Sequence, residues 1–352
     1  MSNAKWIFAA LVLFAVSPLP ACTNFCTRGE GLFGRNYDFD IGSGMVIVNK
    51  RGLSKRSLSP NHPAQWFAQY ASITFNQFGR DIPMDGMNER GLVVALAWLD
   101  GTQYPAADAR PELNEVEWIQ YQLDTAASVD DVLAQSQRVR IVPVVSPLHY
   151  LVADRDGNTA TIEFLGGQLV VHRNPESPVL ANDTYAASAA YLERLRREHA
   201  TPQSAESLDR FARAAMMLDE PAGGDAVARA FDILDAVAES NTRWSIVYDQ
   251  RLLAVEYRTA VNRQRRRIAL SSFDLGCASP PLILDVDEGS GDVTPRVTPY
   301  SFAVNLALAH RSFGSAEDTR GVPEEFIQLV AQHPDSAVCN PAEGPRRRSA
   351  RH

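Results

Sequence analysis

From Cys22 onward the pattern of apolar and polar positions is strand-like. Residues 22–27 read as a short strand, and 31–40 and 45–49 as the next two. Residues 65–75, rich in aromatic and β-branched side chains, predict a further strand. Met87-Asn88-Glu89-Arg90-Gly91 reads as a turn, and the apolar run 92–99 follows as a buried strand. Over 114–137 the spacing becomes helical, carried by Trp118, Tyr121, Leu123, Ala127, Val129, Val132 and Leu133. Ser128-Val129-Asp130-Asp131 predicts a restart of that helix with Ser128 as its N-cap. A hairpin is expected from 148–153 and 159–164 around Asp154–Asn158, then a short strand over 169–172. Three helices are expected over 185–199, 205–218 and 225–239, and strands return at 244–248, 252–259 and 267–270. Beyond them the pattern is less regular, with one helix predicted over 323–332. Strands, then helices, then strands, with no internal repeat and no long linker, point to an α+β class rather than a parallel α/β one.

Residues 1–21 follow a different pattern. Lys5 supplies a positive start, 6–16 form an apolar run, and Ser17-Pro18-Leu19-Pro20-Ala21 ends on a small residue. This is the layout of a secretory signal peptide. The expectation is an exported protein, periplasmic or secreted, with one domain over 22–340 and a disordered polar tail over 341–352 that includes Arg346-Arg347-Arg348. Cleavage after Ala21 would make Cys22 the N-terminus, so one residue would carry both a thiol and a free α-amine. That amine has an ordinary pKa of about 7.7–8.0 and can take the thiol proton near neutral pH. Nucleophile and base would then come from the same residue. Two other readings compete. Leu19-Pro20-Ala21-Cys22 resembles a lipobox, in which a lipidated Cys22 anchors a binding protein to a membrane. Cys22 could also be a structural cysteine that lies near the cut.

Removing 21 of the 352 residues leaves 331, enough for one large domain or two ordinary ones. A net charge of −8 argues against a general nucleic-acid binder. The apolar run of the leader is about half a membrane span, and no later stretch qualifies. With four cysteines, Cys22, Cys26, Cys277 and Cys339, this is not a disulfide scaffold. In an exported chain Cys277 could pair with Cys339, leaving Cys22 and Cys26; the sequence leaves the pairing open.

Gly29-Glu30-Gly31-Leu32-Phe33-Gly34 matches the glycine string of dinucleotide sites, but residues 35–40 continue a strand where such a site must open a helix. Residues 285–292 are acidic without the full EF-hand spacing and read as an exposed turn. The seven histidines show no paired metal spacing. His149 and His172 fall in strands and read as structural. Arg35 and Asp38 differ from these. They sit on a strand soon after Cys22, and a turn could bring that strand beside the first. An arginine near the thiol favours thiolate, and a carboxylate could hold the α-amine.

These motifs together resemble the choloylglycine hydrolase family, which includes bile salt hydrolases and penicillin V acylases. The resemblance runs along most of the mature chain. It rests on Cys22-Thr23, on residues 32–38 (LFGRNYD), on 85–92 (DGMNERGL) and on Val179-Leu180-Ala181-Asn182, where Ala181 replaces Thr. Asp209-Arg210-Phe211, with Asp209 replacing Ser, and the segments Thr242–Ser245 through Tyr257–Thr259 complete it. The resemblance implies an N-terminal-nucleophile αββα sandwich of two antiparallel sheets and hydrolysis of linear amide bonds in small N-acyl compounds. No metal and no organic cofactor are implied. Carried over, Cys22 is the nucleophile and its α-amine the base. Asp38 positions that amine, Arg35 and Arg210 set the field around the thiol, and Asn182 donates to the oxyanion. The backbone N–H of Trp98 would be the second donor. Bile salt hydrolases commonly have Asn at that position; Trp98 instead offers an apolar wall, as in the Gram-negative branch of the family. The expected substrates are therefore penicillin V and N-acyl homoserine lactones, with conjugated bile salts as the alternative. Lipidation of Cys22 would modify both groups the chemistry needs, so the resemblance disfavours the anchor. No membrane or nucleic-acid partner is expected after processing, and self-association into a homo-oligomer stays open.

Overall fold

The computed structural model describes residues 22–144, 146–221, 223–315 and 319–340. The leader expected over 1–21 and the tail expected over 341–352 lie outside the described residues. Two large sheets dominate. The first has seven strands in the order Val179–Leu180, Thr23–Cys26, Leu32–Asp38, Thr242–Asp249, Ala254–Thr259, Arg266–Ala269 and Gly291–Asp292. The second has nine, in the order Gln168–Arg173, Thr159–Leu165, Leu148–Ala153, Val93–Trp98, Asp85–Asn88, Ser72–Asn76, Met45–Asn49, Leu282–Asp285 and Thr298–Pro299. Pairing is antiparallel throughout both, except where Arg266 and Arg267 meet Gly291 and Asp292.

A strand presents alternate residues to opposite faces, so each sheet needs two covers. Phe33, Tyr37, Trp244, Tyr248 and Tyr257 point inward from the first sheet into one cluster with Ile73, Phe75 and Met87 of the second. Tyr37 stacks on Trp244 with ring centroids 4.6 Å apart. The outer face of the first sheet, with Phe25, Val179 and Val247, packs against helices Tyr185–Glu198, Ser207–Asp219 and Ala226–Ala236. Helices Glu117–Thr125 and Val129–Ser136 cover the second sheet on its far side. The result is the four-layer αββα sandwich of antiparallel sheets that the family resemblance implied.

Local sequence features account for most of this. The 114–137 helix does restart, and Ser128 caps the second piece by accepting the Asp131 N–H. Gly34 is forced by packing rather than by a turn. It lies opposite Phe25 across the first two strands, and a Cβ there would come within 2.2 Å of the Phe25 ring. Any larger residue would push the Cys22 strand off its neighbour. The glycine string of residues 29–34 indeed opens a strand, Leu32–Asp38, and not a helix.

Three expectations need correction. The turn expected over 87–91 is shorter, because Met87 and Asn88 end the strand Asp85–Asn88, paired with Ile73 and Ser72. The single strand expected over 65–75 is two, Gln65–Phe67 and Ser72–Asn76, in different sheets. Between them the N–H groups of Gln69 and Tyr70 turn aside to the Asp124 carbonyl near the end of helix Glu117–Thr125, a long-range contact that composition does not announce. Helix Phe302–Ser315 was not expected. Its apolar residues lie on several sides, because Leu308 and Ala309 are buried while Val304 is exposed. Cys277 and Cys339 form the disulfide, and Cys22 and Cys26 are free and buried.

Candidate active site

Sheet register brings the expected residues together. The first strand pairs Asn24 with Arg35 on one side and with Leu180 on the other. Continuing the second register by two residues sets Asn182 opposite Cys22. The Leu32–Asp38 strand also pairs with Thr242–Asp249, which puts Thr242 opposite Asp38. Four neighbouring strand ends thus deliver Asn182, Cys22, Asp38 and Thr242 to one edge of the core.

Alternation decides what Arg35 does. It lies between Phe33 and Tyr37 on the inward face and is wholly buried between the sheets. A buried guanidinium requires partners on every side. Its Nε faces Asp85 Oδ2 of the opposite sheet at 2.7 Å, and both side chains are fully buried. Asp85 also accepts the Tyr248 hydroxyl. One Arg35 terminal nitrogen donates to Asn24 Oδ1 at 2.9 Å and to the Leu96 carbonyl. The other approaches Cys22 Sγ at 3.9 Å. Asn24 itself donates to Leu96 O at 3.2 Å.

Burial pushes the Cys22 thiol up from its ordinary value; Arg35, and more weakly Arg210, pull it the other way. The net direction is upward. Arg35 alone therefore does not leave a thiolate at neutral pH, and the thiol needs a base beside it. Asp38 is the group next to it that lacks a full set of partners. Its Oδ1 accepts the Thr242 hydroxyl, while its buried Oδ2 has no hydrogen-bond partner among the described residues. Burial raises its carboxyl to about 7, against the pull of Thr242 and Arg210. An ammonium at Cys22 is the chemistry that would complete it.

In a chain still carrying residue 21 no ammonium faces Asp38. Folded Asp38 then binds a proton that the unfolded chain has already released above its ordinary pKa of about 3.9. Its contribution is full below that pH and is lost as pH rises toward 7, by a total on the order of 4 kcal/mol. Urea unfolding of this form at pH 5 and pH 8 should show stability falling with pH, and Asp38→Asn should flatten the difference. An unchanged slope in Asp38→Asn would show that Asp38 is not the protonated group.

Arg210, almost fully buried on helix Ser207–Asp219, reaches the Cys22 backbone and not its sulfur. Nη1 donates to the Cys22 carbonyl at 3.1 Å and to Thr23 Oγ1 at 2.6 Å. Nη2 donates to Asn182 Oδ1 at 2.8 Å, and Nε lies 3.0 Å from Glu239 Oε1. Asp209, which departs from the family's Ser, shapes the loop in front of this helix. Burial opposes its ionisation, but bonds from Tyr191, Ser204 and the Gln203 and Ser204 N–H groups hold it down at about 2. That loop carries the Ala205 carbonyl, which accepts Arg210 Nε at 3.0 Å.

Asn182 Nδ2 donates to the Trp98 carbonyl at 3.0 Å. Because Leu99 N–H bonds Pro147 O across the strand pair, antiparallel alternation turns the Trp98 N–H and C=O away from the Leu148–Ala153 strand. They face the side on which Leu96 O meets Arg35. The Trp98 indole is half-buried, packs against the central cluster and donates its Nε1–H to Asp100 at 2.6 Å.

All six residues singled out in the sequence, Cys22, Arg35, Asp38, Trp98, Asn182 and Arg210, thus fall in one site. Sequence reasoning missed Asn24, Asp85, Thr242, Glu239 and Tyr248. One signal for Asp85 was present: Arg35 occupies a core-facing position of its strand, and a cation there demands an acid from the facing sheet. Among the described residues no group of three or more His, Cys, Asp or Glu is placed to hold a metal ion, and no helix is long and apolar enough to cross a membrane.

Comparison with known proteins bears on the fold and the family. The sequence profile described as linear amide C–N hydrolases, choloylglycine hydrolase family, matches residues 22–230, more than half of the chain. A penicillin V acylase of Pectobacterium atrosepticum is 26% identical over 240 residues, spanning 60% of this chain and 64% of that protein. The chain therefore aligns with less than two thirds of that relative's length. Among solved structures, the penicillin V acylase of Agrobacterium tumefaciens is similar with a TM-score of 0.71 at 22% identity, covering 80% of this chain and 98% of that one. A mutant of the conjugated bile acid hydrolase of Clostridium perfringens gives 0.64 at 20% identity, with 77% and 98% covered. At such identities these likenesses speak for the fold. The profile match, which starts at Cys22 and includes Arg35, Asp38, Asn182 and Arg210, establishes more: the chain belongs to the choloylglycine hydrolase family.

Proposed function

We propose that this protein is an exported hydrolase of linear amide bonds in N-acyl compounds, with Cys22 as its processed N-terminus and nucleophile. The observation that carries the reading is the position of Cys22: it is the first residue of the family match, and Arg35, Asp38, Asn182 and Arg210 all surround it. In the proposed reaction the α-amine takes the thiol proton and Sγ attacks the acyl carbonyl carbon. The carbonyl π pair moves to oxygen, where the Asn182 amide and the Trp98 N–H receive it. An amide NH2 carries two hydrogens, so its bond to Trp98 O is compatible with one to the oxyanion. Collapse breaks the C–N bond, and the leaving nitrogen takes the proton from the α-ammonium. Water then attacks the thioester, gives a proton back to the amine, and releases the acid and the thiol. Oxyanion donors are each typically worth about 2.7–4 kcal/mol in such a transition state.

For the substrate we infer an apolar or aromatic acyl group, as in penicillin V or long-chain N-acyl homoserine lactones. Its support is Trp98, whose backbone borders the site where its carbonyl meets Asn182 and whose half-buried indole is held by Asp100, together with the likeness to a penicillin V acylase. A methylene in a matching apolar pocket is worth roughly 1–3 kcal/mol, so kcat/KM should climb with acyl length until the pocket is full. Trp98→Asn should flatten that climb. Measuring kcat/KM over an acyl series beside glyco- and tauro-conjugated bile salts tests this, and a clear preference for the bile conjugates would replace the substrate assignment with a bile salt hydrolase.

A further inference from the structure

The mechanism above leaves a buried polar cluster around His149 unused. His149, on strand Leu148–Ala153, is paired with Ala97, next to Trp98. Its Nε2 lies 2.9 Å from the Ala181 carbonyl, and its Nδ1 lies 3.3 Å from Glu163 Oε1. Glu163 is also fully buried. Its Oε1 accepts the N–H of Tyr185, the first residue of helix Tyr185–Glu198, at 2.8 Å, and its Oε2 faces His172 Nε2 at 3.3 Å. A carbonyl oxygen can only accept, so Nε2 must donate to Ala181. The Glu163 oxygen at Nδ1 is an acceptor too, so the ring is held by both partners only as an imidazolium, with Nδ1–H donating to the carboxylate that orients it.

The bond falls on the peptide that leads into Asn182. Its C=O is held by His149, and its N–H is accepted by Ser207 Oγ at 2.8 Å from the start of the next helix. With both edges of the peptide plane tied, the Asn182 side chain leaves the backbone in one direction, toward Trp98 O and Arg210 Nη2. We propose that His149, oriented by Glu163, is a positioning residue for acyl transfer that holds the Ala181–Asn182 peptide so that the Asn182 amide meets the oxyanion. The inference rests on the amide-hydrolase reading of the site.

Two polar replacements separate the two nitrogens. In His149→Gln the amide nitrogen can reach the position of Nε2 and keep the bond to Ala181. In His149→Asn the shorter amide matches Nδ1, faces Glu163 and loses Ala181. On the processed full chain with an N-acyl amide that wild type cleaves, His149→Asn should lower kcat between about 10- and 100-fold with KM within twofold, since misplacement of a transition-state donor acts on kcat. His149→Gln should recover most of the loss. The alkylation rate of Cys22 by iodoacetamide should be the same in all three proteins, because it needs the thiol and not the oxyanion site. If His149→Asn does not fold, His149→Phe, which fills the volume without a donor, takes its place. Equal kcat in the donor-keeping and donor-lacking variants, or a loss confined to KM, overturns the positioning role while leaving the hydrolase standing. A wild-type protein whose Cys22 alkylates but which cleaves no N-acyl amide overturns the reading beneath it and the inference with it.

Discussion

Cys22→Ser will lose at least about a thousandfold in kcat/KM on any N-acyl amide that the unaltered protein cleaves, while its fold persists. The substitution keeps the volume and the hydrogen-bonding position but replaces a thiol with a hydroxyl of far higher pKa. The pocket offers little help to a worse acid. Burial already pushes the thiol up, and Arg35 only partly counters it. A chain that retains residue 21 should fail as completely with its thiol intact, because its Cys22 nitrogen is then an amide that cannot accept a proton. Three measurements decide the matter: intact mass to establish Cys22 as the terminal residue, circular dichroism to show the fold, and single-turnover kinetics for the acyl-enzyme. Turnover at the normal rate by the uncleaved chain would remove the α-amine from the mechanism. A diacylglyceryl adduct on Cys22 would instead mark a lipid anchor.

The largest effect on stability should come from Asp85. Removing it in Asp85→Ala leaves Arg35 charged between two sheets, with a guanidinium edge facing an empty position and the Tyr248 hydroxyl without its acceptor. Breaking a buried pair on one side typically costs 3–5 kcal/mol, whereas replacing both members by apolar groups of similar volume is often neutral. The double variant Arg35→Met with Asp85→Leu should therefore recover most of the stability that Asp85→Ala loses in urea unfolding. It should not recover activity, because the cation beside Cys22 is gone. Since Arg35 pulls the thiol pKa down, the pH profile of Cys22 alkylation should move to higher pH in the double variant. A double variant as active as the unaltered protein would reduce Arg35 and Asp85 to a structural tie.

Much of the candidate site was legible because its members sit in short segments with local meaning. Cys22 lies where a leader would end. Arg35 and Asp38 share one strand with Gly34, and Asn182 closes a four-residue segment of its own. What escaped were the residues that complete these groups from elsewhere. Asn24 and Tyr248 are polar positions in otherwise ordinary strands, Asp85 and Thr242 each open a segment that carried the resemblance without a role of their own, and Glu239 lies in the loop before Thr242. Each gains its role by facing a residue at least eleven positions away along the chain. His149 is the sharpest instance. In the sequence it is a histidine in a strand and reads as structural, yet its ring nitrogens meet residues 32 and 14 positions distant.

The sequence by itself determined most of the strands and helices between residues 22 and 270, a turn within 87–91, the restart at Ser128 and the family, because periodicity, capping and short motifs act over a few residues. It also held the alternation that turns Arg35 inward. Only the tertiary structure decided which strand lies beside which and in what register, and so which acid meets Arg35, which carbonyl His149 holds, that residues 65–75 divide between two sheets, and that Cys277 pairs with Cys339. The physical reason is that register and sheet-on-sheet packing are set by the whole apolar core closing at once. A one-residue slip would turn every side chain of a strand to the other face, so the pairing is strongly specified, but by contacts that no local window contains.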